Sequence, residues 1–267
     1  MTADPTHILK TVYGYEAFRG RQAEIVDHVI AGNNAFVLMP TGGGKSLCYQ
    51  IPSILRSGVG LVVSPLIALM ADQVDALKAL GVRAERLDSS MSYEEKSAAL
   101  EAARRGEMDM LYVSPEALAN GMGQRVSQLA ISLIAIDEAH CVSQWGHDFR
   151  PDYRALDRLK QLFPGVPRIA VTATADERTR DDILAQLDLD APAIHVASFD
   201  RPNLTLGAEP KAGGKSDRVV ALVKAHKGES GIVYAATRDG TEKIAEALER
   251  AGAPALAYHA GLDGEIR

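Results

Sequence analysis

Cysteine, tryptophan and long apolar runs are scarce in this sequence. Only Cys48 and Cys141 stand among its 267 residues. Two thiols cannot build a disulfide framework or a four-cysteine zinc site, so both are expected to be reduced. His140, Cys141 and His147 match no common zinc-ligand spacing, and no zinc site is expected. No apolar stretch approaches the roughly 20 residues that span a bilayer, so no membrane partner is expected either. The first ten residues lack the basic-then-apolar pattern of a secretory signal. These absences lead to the expectation of an intracellular, cytoplasmic protein. Positive charge is also not in excess: 29 Lys and Arg face 35 Asp and Glu, for a net charge of −6. That balance disfavours a protein that merely coats nucleic acid, although one local basic groove remains compatible with it. No long internal repeat and no low-complexity segment is present.

What the chain does have is alternation. Residues 35–39, 60–64, 110–113, 132–136 and 169–172 are short runs rich in Val, Ile and Leu with little polar alternation. Such runs suit parallel strands buried on both faces. Amphipathic stretches lie between them; across 66–80, for example, Leu66, Leu69, Met70, Val74 and Leu77 fall on one helical face. The pattern predicts an α/β domain with a mainly parallel sheet. The rhythm breaks near 198–203 and restarts after the loop-like stretch 211–216, which sets a domain boundary at about Leu206. A helix over 217–226, a strand over 231–235, a helix over 239–251 and a strand over 255–258 are expected beyond it. Those are only about two βα units, fewer than an ordinary domain contains.

Two motifs carry chemistry. Residues 39–46 read MPTGGGKS between a strand and a helix. Thr41, Gly42, Gly43 and Gly44 let successive backbone N–H groups face one anion, and the helix adds its positive end. Lys45 can reach the β- and γ-phosphates of a nucleotide, and Ser46 can ligate Mg²⁺. The first glycine of the general P-loop pattern is replaced by Met39. About ninety residues later, LIAIDEAH (133–140) is an apolar strand ending in two carboxylates. Asp137 can hold the Mg²⁺ shell, and Glu138 can orient and deprotonate an attacking water. ATP and Mg²⁺ are therefore the expected cofactors. Ser64-Pro65 and Ser114-Pro115 both read as strand ends followed by helix caps.

DEAH after a P-loop resembles the second helicase superfamily, and the following IDEAHCVSQWGHDFRPDY (136–153) resembles the aromatic-rich loop of RecQ helicases. YGYEAFRGRQ near the N-terminus, MPTGGGKSLCYQIP, VVSPLIALMADQV, YVSPEAL, VTATAD, SFDRPN and YHAGL resemble further RecQ blocks in that family's order. The resemblance implies an ATP-dependent 3′-to-5′ DNA helicase motor. It implies a RecA-like P-loop domain over 1–206, including an adenine-recognition segment, and the beginning of a second, incomplete RecA-like domain over 207–267. Gln22 would read the adenine edge, flanked by Tyr15 and Arg19, while Phe18 packs the small N-terminal helix. His140 and Gln144 would lie between the γ-phosphate and the DNA path, and Thr172 and Thr174 would couple hydrolysis to movement. Trp145, His147, Phe149 and Arg150 would meet unpaired bases and their backbone, with Tyr153 structural. Ser64, Ser114, Thr237 and Arg238 would touch the strand elsewhere. DNA, single-stranded or at a single/double-strand junction, is the implied partner, in the nucleoid if the source is bacterial. The opposite wall of such a cleft comes from the second domain, so this chain is expected to bind ATP with little hydrolysis and no unwinding. The alternatives are an ATP- and single-strand-binding module without helicase activity, or a P-loop ATPase acting on RNA.

Overall fold

The computed structural model describes residues 4–145, 150, 153, 156, 159–198, 204–210 and 215–263. Among them, seven short strands form one sheet: β1 (Ala35–Leu38), β2 (Val59–Val63), β3 (Ala84–Leu87), β4 (Met110–Val113), β5 (Ile131–Ile136), β6 (Arg168–Thr172) and β7 (Ala193–Val196). Their lateral order is β3-β4-β2-β5-β6-β1-β7, and every pairing is parallel. Parallel neighbours require crossovers, and the helices supply them. These are α1 (Pro5–Thr11), α2 (Gln22–Ile30), α3 (Leu47–Leu55), α4 (Ile67–Ala79), α5 (Tyr93–Arg104), α6 (Pro115–Ala117), α7 (Gly123–Val126), α8 (Leu159–Leu162) and α9 (Glu177–Gln186). A single π-turn spans Leu118–Met122 and a 3-10 turn spans Ala139–Val142.

The period of two along each strand divides the core between the sheet's faces. Phe36, Leu38, Leu61, Val63, Ile134 and Ile136 pack with Leu100 of α5 and Ile183 of α9. The intervening Ala35, Val37, Val62, Leu133 and Ala135 pack with Ile25 of α2, Tyr49 of α3 and Met70 and Val74 of α4. Each large side chain buried this way contributes roughly 1.5–3 kcal/mol. This two-sided burial explains why the central strands are uninterrupted apolar runs.

The edges behave differently. Strand β3 (AERL) and strand β7 (AIHV) are only partly buried, and neither stands out in the sequence as an apolar run. Helix α4 begins at Ile67 rather than directly after Ser64-Pro65. Leu66, in extended conformation, is its N-cap, so the proposed Ser64 cap does not form. Leu66 is 44% exposed and lies off the helical face, whereas Met70, Val74 and Leu77 are buried as their spacing predicts. Ser114, by contrast, caps α6: its hydroxyl accepts from Ala117 N at 3.2 Å, with Pro115 in the first helical position.

The chain divides into two compact units, Met1–Arg201 and Pro202–Arg267. In the second, α10 (Lys215–Ala225) and α11 (Arg238–Arg250) pack together. The strands expected over 231–235 and 255–258 do not form: no ladder hydrogen bonds are assigned to either segment. Ile232, Tyr234 and Leu256 are more than four-fifths exposed. An apolar run becomes a strand only when a neighbour accepts its ladder, and neither segment has one among the described residues.

Candidate nucleotide and nucleic-acid site

The glycine-rich loop leaves the carboxyl end of β1 and turns into α3, with Ser46 as the helix N-cap. Its path explains its glycines. A Cβ on Gly43 would meet the Pro40 carbonyl oxygen at 2.9 Å, and one on Gly44, whose φ is +77°, would lie 2.3 Å from Gln22 Nε2. Lys45 curls back so that Nζ donates to the Met39 carbonyl at 3.2 Å. Gln22, first residue of α2, is buried and fastens the loop: Nε2 donates to the carbonyls of Gly43 and Gly44, both at 3.1 Å, while Oε1 accepts from Arg19 N at 2.8 Å. Both ends of the amide are thus engaged by the protein, and reading an adenine edge would require exchanging these bonds. The pocket beside them is lined by Leu9, Tyr15, Ala17, Arg19, Gln22 and Gly44, together with Gly42 and Leu47. The Arg19 guanidinium lies 5.8 Å from the Tyr15 ring centroid. Phe18 packs on the small cluster of Leu9, Val26 and Ile51. Thr41 and Gly42 are exposed at the loop's tip.

Replacing Gly44 by Ala should therefore do two things. It forces an L-residue into the left-handed region, at about 1–2 kcal/mol, and it pushes Gln22 off the loop. Urea denaturation of the variant should show a stability loss of at least that size; a midpoint equal to that of the unsubstituted chain would contradict this account of the loop.

The two carboxylates stand at the carboxyl end of β5. Asp137 is buried: Oδ1 accepts from Glu138 N at 3.0 Å, and Oδ2 lies 3.5 Å from the Tyr49 hydroxyl, which also donates to Gln73 Oε1 at 3.1 Å. Burial, and then the charge of Glu138, push the Asp137 pKa up to about 6, while Gln73 and Lys45 pull it back. The Tyr49 backbone N–H donates to the Ser46 carbonyl at 3.2 Å, so Tyr49 touches both prospective metal-ligand residues, Ser46 through its backbone and Asp137 through its phenol. Glu138 has a left-handed backbone, φ 46° and ψ 47°, a strained conformation that clusters at functional positions. Its carboxylate lies 3.3 Å from His140 Nδ1, and the same nitrogen is 2.9 Å from Thr172 Oγ1. A carboxylate only accepts, so the tautomer with the proton on Nδ1 is the one that suits both neighbours. The Thr172 hydroxyl in turn contacts the backbone of Thr174 at 3.3 Å. Burial raises the Cys48 thiol to about 12, which makes it an inert core residue.

Beyond the carboxylates, Tyr153 is buried and donates from its hydroxyl to the Asp137 carbonyl at 3.3 Å. Arg150 donates from a guanidinium nitrogen to the Pro65 carbonyl at 2.9 Å, tying the aromatic-rich loop to the end of β2. Ser64 is fully buried there, and its hydroxyl meets no partner among the described residues. Gln144 and Trp145 are exposed. His147 and Phe149 lie outside the described residues. In the second unit Thr237 caps α11, accepting from Gly240 N at 3.0 Å, with Arg238 as the first residue of that helix. Three contacts escaped the sequence reading: Tyr49 at Asp137, Gln73 at Tyr49, and Arg178 against Trp145. Tyr49, three residues into the helix after the P-loop, has a local signal. Gln73 and Arg178 have none, because folding alone brings them to their partners.

A parallel sheet with a glycine-rich loop after β1, paired carboxylates after β5 and a Thr-x-Thr segment after the intervening β6 defines a RecA-like P-loop domain. The chain belongs to the DEAD/DEAH box helicase family, whose model matches residues 19–183. It is 47% identical over 261 residues to the ATP-dependent DNA helicase RecQ of Haemophilus influenzae, which covers 97% of this chain and 42% of that protein. The ATP-dependent DNA helicase Q-like 2 of Arabidopsis thaliana is 42% identical, over 96% of this chain and 38% of its own length. The chain thus spans about two-fifths of the curated relatives it matches. Among solved structures, the DUF1998 helicase MrfA superposes with a TM-score of 0.70 at 20% identity, covering 93% of this chain and 41% of that one, a likeness of fold. Among the described residues no helix is long and apolar enough to cross a membrane.

Proposed function

We propose that this chain is the ATP-binding part of a RecQ-like 3′-to-5′ DNA helicase motor that couples ATP hydrolysis to movement on single-stranded DNA. Residues 1–206 are read as its first RecA-like domain and 207–267 as the start of the second. The observation that supports the reading best is the line Glu138–His140–Thr172–Thr174, which connects the carboxylates after β5 to the segment after β6. In this reading Thr41 to Lys45 cradle the phosphates, and Tyr15, Arg19 and Gln22 hold the base. Glu138 orients and deprotonates water. Ser46 and Asp137 offer hard oxygen ligands of the kind Mg²⁺ takes, and Asp137 is a buried carboxylate short of compensating positive charge. When bound, Mg²⁺ neutralises phosphate charge. DNA would pass Trp145 and Arg150, with Ser64, Ser114, Thr172, Thr174, Thr237 and Arg238 as further contacts. Junction DNA and an intracellular, DNA-associated location follow from the same reading.

Trp145→Ala tests the DNA side. Trp145 is 58% exposed, so its loss should leave thermal stability and nucleotide binding nearly unchanged. Losing one stacking platform, worth roughly 1–3 kcal/mol, should weaken oligothymidylate binding by about fivefold or more. A variant that melts far earlier would show that the indole serves the core instead.

A further inference from the structure

Helix α9 starts directly after the Thr172–Thr174 segment, and one of its faces holds the aromatic-rich loop. Asp182 Oδ2 accepts from the Ser143 hydroxyl at 2.6 Å, and that hydroxyl accepts from Trp145 N at 3.1 Å. One turn earlier on the same face, the Arg178 guanidinium carbon lies 3.3 Å from the centroid of the Trp145 ring. This is a stacked contact between a cation and an indole. Arg178 is exposed and makes no hydrogen bond or ion pair among the described residues. Of the nearby carboxylates, Asp176 feels the Arg178 charge but uses its oxygen to cap the helix, accepting from Thr179 N at 2.8 Å, and Asp181 pairs with Arg180 at 2.9 Å. The stacked guanidinium therefore keeps its N–H edges available while its flat face steadies an indole that is still more than half exposed.

We propose that Arg178 and Trp145 form one composite subsite for a nucleotide of single-stranded DNA, the indole stacking the base and Arg178 binding the adjoining phosphate. The proposal rests on the reading of Trp145 as a DNA contact given above. Its chemistry is that of a planar cation with no hydrogen-bond partner among the described residues, stacked on an indole that is still more than half exposed. A guanidinium matches phosphate geometry, and aromatic stacking tolerates any base. The subsite would sit on the helix that follows Thr174, so strand binding would load the segment whose Thr172 bonds to His140.

The test measures oligothymidylate binding to the full 267-residue chain by anisotropy across a salt series. Trp145 is the chain's one tryptophan, so intrinsic fluorescence reports stacking directly. Arg178→Ala should weaken binding about fivefold at about 0.1 M salt and flatten the slope of log affinity against log salt by about 0.7, the share of one phosphate on a single strand. Arg178→Lys should keep the slope, because the charge remains, while altering Trp145 fluorescence through loss of the planar stack. Trp145→Ala should weaken binding with the slope unchanged. Equal affinity and slope in Arg178→Ala, alongside weakened Trp145→Ala, would overturn the subsite alone. So would tighter binding in Arg178→Ala, because the guanidinium would then be a cover that DNA displaces. Unchanged DNA affinity in Trp145→Ala, with no quenching of the unsubstituted chain, would instead remove the DNA reading of Trp145 itself.

Discussion

Lys45→Ala is expected to lower Mg-ATP affinity about a hundredfold, to the edge of detection by calorimetry. The expectation follows from the loop's construction. The cradle offers backbone N–H groups and a helix end, which are partial charges, and Lys45 is the full positive charge within the motif. Charge-assisted hydrogen bonds contribute about 1.5–3 kcal/mol each, and a phosphate chain engages more than one lysine proton. The variant should still fold. Lys45 is half-buried and gives up one hydrogen bond, to the Met39 carbonyl at 3.2 Å, a loss of about 1 kcal/mol. Nucleotide affinity equal to that of the unsubstituted chain, in a protein with an unchanged melting profile, would remove the phosphate assignment.

The second large effect is on stability and involves Asp137. Its folded pKa, about 6, lies above the ordinary 3.8 because burial and the Glu138 charge disfavour ionisation. The folded state therefore holds the proton more tightly than the unfolded chain does. The sign follows from linkage: the associated stability is fully present below about pH 4, is lost as the pH rises to about 6, and stays lost above it. The interval corresponds to about 3 kcal/mol at about 1.4 kcal/mol per pH unit. Asp137→Asn removes this penalty. The new amide N–H can donate to the Tyr49 hydroxyl, which itself donates to Gln73 Oε1, and the remaining oxygen still accepts from Glu138 N. With nucleotide and metal left out of the buffer, the variant should be more stable than the parent by about 2–3 kcal/mol at about pH 7.5, and nearly equal to it at about pH 4. Urea titrations at the two pH values decide the matter, and a constant difference between the proteins would contradict the burial argument. The same substitution should abolish Mg²⁺-dependent gains in nucleotide affinity, so the site trades stability for charge.

Much of this site was legible because it is local. MPTGGGKS declares its strand, turn and helix within eight residues, and the carboxylates of DEAH end an apolar run that can only be a buried strand. Central strands were readable for the same reason: two-sided burial leaves an unbroken Val, Ile and Leu signature. The edge strands β3 and β7 were missed because one side of each needs no apolar cover, and AERL reads as a helix or loop without its neighbour. The segments over 231–235 and 255–258 failed in the opposite direction, apolar enough for strands yet lacking a ladder to join. Ser64 misled because Ser-Pro suits a cap, but the extended Leu66 shifts the helix start beyond its reach. Gln22 shows the limit of motif reading. Its amide suits adenine chemically, while the fold also gives it both P-loop carbonyls as acceptors. The pairs His140–Thr172 and Trp145–Arg178 join residues roughly thirty positions apart, on elements whose adjacency is set by sheet order, which no single-segment pattern encodes.

The central claim is that one domain holds a nucleotide site and a single-strand site joined through His140 and Thr172. It is tested most directly by measuring the affinity of this chain for an oligothymidylate with and without a non-hydrolysable ATP analogue and Mg²⁺. The account predicts that saturating analogue changes DNA affinity several-fold, about 5–150-fold being usual for coupled sites, and that DNA changes analogue affinity by the same factor. It also predicts that His140→Ala brings that factor close to one while each ligand still binds. DNA affinity that is the same at every analogue concentration would contradict the account.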